Sequence, residues 1–255
     1  MGKKIAMVTG ARQGIGRAIS VELARQGFDL AAVDLVEDEQ IESLRAELAE
    51  LGRECLFAQL DIADVDAHAA VLDAIERDLG PIDALVNNAG VAVRPLTDIM
   101  DVGPEMFDRN MDVNLRGTFF LTQQVGKRMI ARETSQYRSI TFITSIAAEM
   151  VSIVRSPYCI SKCGLSMAAQ LFALRLGEAG IAVHEIRPGF IKTEMSAQNP
   201  STKIDDYIES GRVALRRWGS PQDIGQVAAS LASGALPYVS GQPIYVDGGF
   251  HIPAS

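Results

Sequence analysis

Short apolar runs alternate with longer amphipathic segments along almost the entire chain. In the short runs, apolar residues follow one another with few polar interruptions, which is typical of strands that are buried on both faces of a sheet. The chain is therefore predicted to contain seven strands, at Ile5–Thr9, Asp29–Val33, Glu54–Gln59, Ala84–Asn87, Ile140–Thr144, Ala182–Ile186 and Ile244–Val246.

The longer segments carry apolar residues at helical spacing. Ile41, Leu44 and Leu48 recur every three or four residues, while Glu and Arg occupy the other face. Because parallel strands need crossover connections, this alternation predicts an α/β fold with a doubly wound parallel sheet and helices on both faces. The helices are predicted at Ile15–Gln26, Glu37–Leu51, Val65–Asp78, Phe107–Ala131, Pro157–Glu178 and Pro221–Ala232.

A single domain is predicted over residues 1–255, because no linker of Pro, Gly and Ser and no internal repeat divides the chain. One long polar segment, Lys192–Arg217, interrupts the alternation, with Gln198 to Ser201 at its crest. Segments of this length without periodicity are usually functional in compact folds, so residues 192–217 are predicted to form a lid over a substrate.

Charge and composition exclude several classes of protein. The 24 Lys and Arg residues against 32 Asp and Glu residues give a net charge of −8, which argues against a nucleic-acid partner. The three cysteines are too few for a disulfide framework, and Cys159 and Cys163 are expected to be buried thiols on one helix. No apolar stretch approaches the roughly 20 residues that span a bilayer, and the first residues lack a signal peptide. A cytoplasmic protein without membrane contact is predicted.

A glycine-rich turn, Thr9–Gly16, stands between the first strand and the first helix. Glycines at this place let a pyrophosphate approach the N-terminus of the helix. Asp34, at the end of the second strand, could accept hydrogen bonds from ribose hydroxyls and would repel a 2′-phosphate, which favours NAD(H) over NADP(H). The alternative for Asp34 is an ordinary turn or capping residue. Arg12 in the turn keeps NADP(H) open as a cofactor.

Further motifs give the chain a resemblance to the short-chain dehydrogenase/reductase family. They are the Thr-Gly-x-x-x-Gly-x-Gly turn at Thr9–Gly16, Asn-Asn-Ala-Gly at 87–90, Asn114, Ser145 and Tyr-x-x-x-Lys at Tyr158–Lys162. The likeness runs through nearly all of the chain. It implies a single-domain Rossmann fold and a homotetramer.

The resemblance also implies which residues form the site. The catalytic residues would be Asn114, Ser145, Tyr158 and Lys162. The cofactor would be bound by Gly10, Arg12, Gln13, Gly14, Ile15, Gly16, Asp34, Asp61, Ile62, Asn88, Ala89, Gly90, Tyr158, Lys162, Pro188, Gly189, Ile191 and Thr193. No metal site is expected, because the three histidines lie far apart in the sequence. For Asn88, a role in stabilising the turn after the fourth strand is the alternative.

Tyr158 and Lys162 lie one helical turn apart and so face the same side. A nearby ammonium stabilises a phenolate, so the sequence predicts a lowered pKa for Tyr158, which could then exchange a proton with a substrate hydroxyl. By resemblance, Ser145 would hydrogen-bond the substrate oxygen. Lys162 would also bind the nicotinamide ribose, and Asn114 would hold a water next to Lys162.

The resulting hypothesis is an NAD(H)-dependent oxidoreductase that interconverts a secondary alcohol and a ketone. By resemblance, the substrate pocket would be lined by residues after Ser145 and Gly189 and by the lid at 192–217. Its predicted lining is apolar and comprises Ile146, Ala147, Met150, Val151, Phe190 and Met195. One alternative is an NADPH-dependent 3-oxoacyl-(acyl-carrier-protein) reductase, and the other is a dinucleotide-binding scaffold without catalysis. A basic patch comprises Lys127, Arg128, Arg132 and Arg175. In the reductase it could contact an acidic carrier protein; the alternative is that these are ordinary solvent-exposed helix positions.

Overall fold

The computed structural model describes residues 3–197 and 202–253. Within these residues, seven strands form one sheet in which every neighbouring pair is parallel. Each predicted strand is present, with ends that differ by at most two residues. The strands are β1 Lys4–Thr9, β2 Phe28–Asp34, β3 Cys55–Gln59, β4 Ala84–Asn87, β5 Arg138–Ile143, β6 Ile181–Pro188 and β7 Pro243–Val246.

Helices cover both faces of the sheet, which confirms the Rossmann fold. One face packs against the first, second and last helices, for example through Ile19 and Ile224. The other face packs against the third, fifth and sixth helices, for example through Val125 and Leu165. The helices are α1 Gly14–Arg25, α2 Glu39–Glu50, α3 His68–Asp78, α4 Pro104–Met111, α5 Thr118–Ala131, α6 Ser156–Gly177, α7 Glu194–Ala197, α8 Thr202–Glu209 and α9 Pro221–Ala232.

The order of the strands places a crevice beside β1. The sheet runs β3-β2-β1-β4-β5-β6-β7, so the chain reverses its direction of progress between β1 and β4. Open parallel sheets bind their ligands outside the carboxyl ends of the strands at such a reversal. The turns that follow Thr9 and Asn87 meet at this point.

The predicted helix Phe107–Ala131 is present, but it begins earlier, at Pro104, and is not a regular α-helix at its centre. A wider π-helical turn, Asp112–Gly117, separates α4 from α5. Gly117 of this turn approaches β3's following loop so closely that a Cβ would lie 2.1 Å from the carbonyl oxygen of Ile62. Such turns inside helices often occur at functional sites, and this one carries Asn114.

The predicted lid, residues 192–217, has more regular structure than the sequence indicated. It contains α7 and α8, while its crest, 198–201, lies outside the described residues. The ring of Tyr207 on α8 lies 6.1 Å from the ring of Phe190 and 5.5 Å from that of Phe250. These aromatic contacts hold α8 against the body of the protein.

The expectation that Cys159 and Cys163 are buried is wrong. Cys163 is exposed and Cys159 is partly exposed. The reason lies in α6, which presents a stripe of apolar side chains to the surface, including Met167, Leu171 and Leu174. In the part of the chain that the structure describes, no helix is long and apolar enough to cross a membrane.

Candidate active site

The turn between β1 and α1 is built on glycines, two of which have no room for a side chain. Gly10 and Gly14 adopt positive φ angles of 66° and 57°. A Cβ on Gly16 would lie 1.9 Å from the carbonyl oxygen of Gly10, and one on Gly10 would lie 2.9 Å from Nδ2 of Asn88. This close packing sets the first turn of α1 directly beside the end of β1.

No side chain caps the N-terminus of α1. Gln13 is the N-cap residue, but it makes no capping hydrogen bond, and the first turn contains no acidic residue. Oε1 of Gln13 instead accepts a hydrogen bond of 3.0 Å from the guanidinium of Arg12. Ile15 packs into the core. Uncapped N–H groups and the helix dipole suit a pyrophosphate, so the residues of this turn fit a dinucleotide.

Thr193 lies on the other side of this turn. A Cβ on Gly14 would meet only the Cγ2 and Cβ atoms of Thr193, at 3.7 and 3.8 Å. The backbone N–H of Thr193 donates to Oγ of Ser196 at 2.8 Å, which fixes the residue at the start of α7. The structure therefore brings the loop after β6 to the glycine turn, as the resemblance implied.

The preceding residues of that loop are held by the body of the protein. Pro188 ends β6, and a Cβ on Gly189 would lie 2.5 Å from the Cβ of Asp247. Ile191 is buried and forms a β-bridge with Gly219. Its side chain thus belongs to the core, and only its backbone can contribute to a cofactor site.

Asp34 holds the glycine turn to β2. Its Oδ2 accepts the backbone N–H of Arg12 at 3.1 Å, and its Oδ1 accepts that of Leu35 at 2.8 Å. The guanidinium of Arg12 pairs with Asp38 at 2.5 Å. A surface cavity of about 450 Å³ lies here, lined by Arg12, Gln13, Asp38, Glu39, Gln40 and Glu194. Carboxylates therefore outnumber the one arginine around this cavity.

Asn88 has the structural role that the sequence left open. Its Nδ2 donates to the carbonyl oxygens of Thr9 and Gly10, at 2.9 and 3.1 Å. The backbone N–H groups of Asn88 and Ala89 both donate to Oγ1 of Thr9 at 3.0 Å. These contacts lock the end of β4 onto the glycine turn. Sequence reasoning did not single out the hydroxyl of Thr9, although it stands inside the motif.

Asp61 and Ile62 follow β3 and lie beside the end of β2. Leu60, the residue before them, donates its N–H to the carbonyl oxygen of Asp34 at 3.0 Å. Asp61 is exposed and accepts the N–H of Ala63 at 2.9 Å. Ile62 is buried, and its carbonyl oxygen lies 2.9 Å from Nε2 of His68. The pair is thus near the expected adenine side, and its part in binding stays a prediction.

The candidate catalytic side chains come from β5 and α6. Ser145 follows β5, and its Oγ accepts the N–H of Ala147 at 3.1 Å. The hydroxyl of Ser145 lies near that of Tyr158 and acts to lower the pKa of the phenol. Tyr158 stands in the first turn of α6, and Nζ of Lys162 lies 5.7 Å from the centre of its ring. The structure therefore brings these three residues together.

Lys162 and Asn114 meet around Gly90. The buried Nζ of Lys162 donates to the carbonyl oxygen of Ile143 at 2.9 Å. A Cβ on Gly90 would lie 3.0 Å from Oδ1 of Asn114 and 3.6 Å from Nζ of Lys162. A side chain at position 90 would therefore crowd Asn114 and contact Lys162, which places Gly90 beside both candidate catalytic residues.

Asn114 is fully buried and fastens the loop after β4. Its Oδ1 accepts the N–H of Val91 at 2.7 Å. Its Nδ2 donates to the carbonyl oxygen of Val91 at 3.0 Å and to Oγ of Ser161 at 3.1 Å. A second lone pair of Oδ1 is left for a water, so the water relay implied by the resemblance stays a prediction.

The pKa of Tyr158 moves in the direction opposite to the one predicted. Burial raises the pKa of Tyr158, although the hydrogen bond from Ser145 and the charge of Arg155 lower it. Burial also lowers the pKa of Lys162 to about 8. Both shifts have the same cause, because removal from water disfavours phenolate and ammonium alike. The protein's own groups thus keep Tyr158 protonated at neutral pH.

The three histidines have separate partners. Nε2 of His184 lies 3.2 Å from the hydroxyl of Tyr137, and Nδ1 of His251 lies 2.8 Å from Oδ2 of Asp247. Among residues 3–197 and 202–253, no three His, Cys, Asp or Glu side chains cluster in a way that could hold a metal ion.

Comparison with known proteins agrees with this geometry. A family model described as enoyl-(acyl carrier protein) reductase matches residues 10–251. The chain is 32% identical over 247 residues to a 2-dehydro-3-deoxy-D-gluconate 5-dehydrogenase of Pseudoalteromonas atlantica, covering 97% of this chain and 95% of the relative.

Two solved structures are similar over the full chain. A 3-oxoacyl-[acyl-carrier protein] reductase from Brucella melitensis in complex with NAD has 44% identity and a TM-score of 0.95, with all of both chains covered. A gluconate 5-dehydrogenase from Burkholderia cenocepacia in complex with NADP and tartrate has 28% identity and a TM-score of 0.89, covering 100% of this chain and 97% of the other.

The chain belongs to the short-chain dehydrogenase/reductase family. It is therefore an NAD(P)-dependent oxidoreductase that acts on CH–OH groups. The scaffold hypothesis without catalysis is thereby set aside, because the chain carries the serine, tyrosine and lysine in one contact network. The substrate is not fixed by membership of the family, since the relatives just named differ in theirs.

Sequence reasoning missed one feature beside this short-chain dehydrogenase/reductase site. Glu185 and Arg187 are buried on β6, which the sequence presents as an ordinary core strand. Their signal was available: two opposite charges stand two residues apart in an apolar run and therefore face the same side. Arg187 connects to Glu149, which follows the turn of Ser145.

Proposed function

We propose that this enzyme interconverts a secondary alcohol and a ketone with NAD(H), using Tyr158 as general acid and base. The observation that supports this most is the position of Lys162, whose Nζ lies 5.7 Å from the centre of the Tyr158 ring and donates to the carbonyl oxygen of Ile143, two residues before Ser145. This group lies at the carboxyl edge of the sheet, on the same edge as the glycine turn.

In ketone reduction, Tyr158 gives its phenolic proton to the carbonyl oxygen while a hydride joins the carbonyl carbon. In alcohol oxidation, the hydride leaves the carbinol carbon and the phenolate takes the hydroxyl proton. The bound dinucleotide supplies or accepts the hydride. Ser145 orients the substrate oxygen, and Lys162 places positive charge beside Tyr158.

The preference for NAD(H) is supported by charge around the adenosine side. Asp38, Glu39 and Glu194 line the cavity beside the glycine turn, and the single guanidinium there, that of Arg12, already pairs with Asp38. A 2′-phosphate would meet like charges in this place. The comparison of NADH with NADPH in initial rates tests this preference.

An aromatic cluster beneath residues 192–217, the proposed lid, is the part of the structure that we assign to one side of the substrate pocket. The rings of Phe190 and Phe250 lie 4.6 Å apart, and Tyr207 of α8 packs against both. Ile146 and Met150, which follow Ser145, pack in the same cluster. Val151 was predicted for the pocket but is 90% exposed, and the side chain of Met195 lies outside the described residues.

A second candidate is a 3-oxoacyl-(acyl-carrier-protein) reductase, because of the similarity to the Brucella melitensis protein. The basic patch that the sequence offered for a carrier does not favour it. Arg128 pairs with Asp73 and Glu76, and Arg132 pairs with Asp83. A carrier-linked 3-oxoacyl substrate assayed beside free ketones distinguishes the two candidates.

Assembly as a homotetramer is part of the proposal. Its support is the apolar stripe on α6, where Met167, Leu171 and Leu174 are 54%, 56% and 80% exposed. Stripes of this kind on soluble proteins usually mark an interface. Sedimentation velocity should give four times the chain mass, and Leu171→Glu with Leu174→Glu should give smaller species.

Replacement of Tyr158 by Phe tests the reaction itself. We expect Tyr158→Phe to reduce turnover at least 1000-fold in both directions, because only the proton-transferring hydroxyl is removed, while NADH binding measured by fluorescence is retained. Retained turnover would overturn the assignment of Tyr158. A panel of alcohols and ketones followed by NADH absorbance identifies the substrate class.

A further inference from the structure

Strand β6 carries two opposite charges on the face that packs against α6. Glu185 is fully buried and Arg187 is 4% exposed. Nε of Arg187 donates to Oε1 of Glu185 at 2.6 Å. Because a charge taken out of water is costly unless it is paired and hydrogen-bonded, the remaining polar atoms of this pair need partners as well.

The partners of Glu185 come from the two elements that carry the catalytic residues. Oγ1 of Thr144, the residue before Ser145, donates to Oε1 of Glu185 at 2.8 Å. Oγ of Ser166, one helical turn after Lys162, donates to Oε2 at 2.9 Å. A single carboxylate therefore joins the end of β5 to the middle of α6.

Arg187 reinforces the same junction and extends it outwards. Its Nη2 donates to Oγ of Ser166 at 2.8 Å, and its Nη1 donates to the hydroxyl of Tyr245 at 2.7 Å. The same Nη1 also donates to Oε1 of Glu149, which stands four residues after Ser145. The hydroxyl of Tyr245 donates to the other oxygen of Glu149, Oε2, at 2.5 Å. The segment that contains Ser145 is thus held at both ends, through Thr144 and through Glu149.

A purely structural ion pair exists elsewhere in the protein and differs in its surroundings. Asp83, 2% exposed, pairs with Arg132 at 2.5 Å before the amino end of β4. Its Oδ2 accepts the N–H of Ile5 at the start of β1. This pair lies at the edge of the sheet opposite to the catalytic residues and touches none of them.

We propose that Glu185 and Arg187 are positioning residues, which set the end of β5 against α6 and with it the position of Ser145 relative to Tyr158. The inference rests on the proposed alcohol–ketone reaction of this site. Neither side chain touches substrate or cofactor; they act through Thr144, Ser166 and Glu149. A displacement of about 1 Å between reacting groups can reduce a rate about 100-fold.

Glu185→Gln removes the charge and keeps the size of the side chain. We expect kcat for ketone reduction to fall about 100-fold, while KM for NADH changes less than about twofold. Asp83→Asn is the matched control, because it breaks the other buried pair and should lower Tm while kcat is unchanged. A Glu185→Gln protein with lowered Tm but unchanged kcat would overturn the proposal.

Milder variants cover the case in which Glu185→Gln does not fold. Thr144→Val removes one hydrogen bond to Glu185, whereas Ser166→Ala removes one to Glu185 and one from Arg187. Both variants leave the ion pair itself in place. Each is expected to lower kcat about tenfold, and Arg187→Lys should keep more of kcat than Arg187→Met. The proposal is wrong if Thr144→Val and Ser166→Ala both retain the full kcat.

Titration of the Tyr158 phenol gives a readout that needs no turnover. The titration is followed by ultraviolet absorbance at alkaline pH. The signal of Tyr158 is the difference between each protein and the same protein with Tyr158→Phe. Glu185→Gln should raise the pKa of Tyr158, because the hydrogen bond from Ser145 lowers it. If the wild type reduces no ketone, the proposed function fails, but a shifted pKa of Tyr158 in Glu185→Gln still supports the positioning role. An unchanged pKa of Tyr158 in Glu185→Gln contradicts the positioning role.

Discussion

Nζ of Lys162 donates a hydrogen bond of 2.9 Å to the carbonyl oxygen of Ile143, two residues before Ser145. The contact ties the lysine to the strand that carries the serine, while the amine lies 5.7 Å from the centre of the Tyr158 ring. Among the described residues no carboxylate pairs with this buried ammonium, and burial lowers the pKa of Lys162 to about 8.

This environment predicts how ketone reduction depends on pH. The Lys162 ammonium is present below pH 8 and is lost above it, whereas the raised pKa of Tyr158 keeps the phenol protonated. We therefore expect kcat/KM for reduction to be flat at neutral pH and to fall above about pH 8. In Lys162→Arg the fall should move beyond pH 10, since a guanidinium keeps its proton. A profile that is unchanged in Lys162→Arg would contradict this assignment.

The ion pair between Arg12 and Asp38 predicts a change of cofactor preference. In the wild type, Asp38 caps α2 by accepting the N–H of Gln40. Asp38→Asn keeps a side-chain oxygen for this cap but removes the charge that pairs with the guanidinium of Arg12. The freed guanidinium can then meet a 2′-phosphate, so kcat/KM for NADPH relative to NADH should rise about fivefold. The control is Glu42→Gln on the same helix, which should leave the ratio unchanged.

The glycine turn gives a prediction about both stability and binding. In Gly16→Ala the new Cβ would meet the carbonyl oxygen of Gly10 at 1.9 Å and Nδ2 of Asn88 at 2.5 Å, so the turn must open. We expect the free energy of unfolding to fall by about 3 kcal/mol and NADH binding to weaken more than tenfold. Urea unfolding and fluorescence titration measure the two effects.

The matched control for that substitution is Gly103→Ala. No atom lies within 4 Å of a Cβ at Gly103, and its φ of −81° suits any residue. The free energy of unfolding should change by less than about 1 kcal/mol, and NADH binding should not change. Equal losses in both variants would show that the close packing at Gly16 is unimportant.

The alternation of strands and helices was enough to predict the sheet, because burial on both faces leaves uninterrupted apolar runs. The π-helical turn between α4 and α5 was not predictable in this way. It depends on the contact of Gly117 with the carbonyl of Ile62 and on the side chain of Asn114, which ties the turn to Val91. Contacts between distant segments leave no periodic signal in the sequence.

The candidate site shows the same division. Motif spacing predicted that Ser145, Tyr158 and Lys162 would come together, but it could not predict the pKa of Tyr158, which depends on burial by the whole fold. Nor did it single out Glu185 and Arg187, since their partners come from β5, α6 and β7. Local pattern predicts elements, whereas the electrostatics of a site arise from their packing.

Burial of His184 predicts a specific loss of stability in acid. The side chain is fully buried beside Tyr137, and burial lowers the pKa of His184 to about 4. The unfolded chain takes up the proton near pH 6.5, so it binds more protons than the folded protein between pH 6.5 and 4. The free energy of unfolding should therefore fall by about 3 kcal/mol as pH decreases through this window. In His184→Gln this slope should disappear, whatever the substitution costs at neutral pH. Urea unfolding at intervals between pH 7 and 4 measures how the free energy of unfolding depends on pH. His251→Gln is the control and should keep the wild-type slope. If His184→Gln also keeps the slope, groups other than His184 cause it.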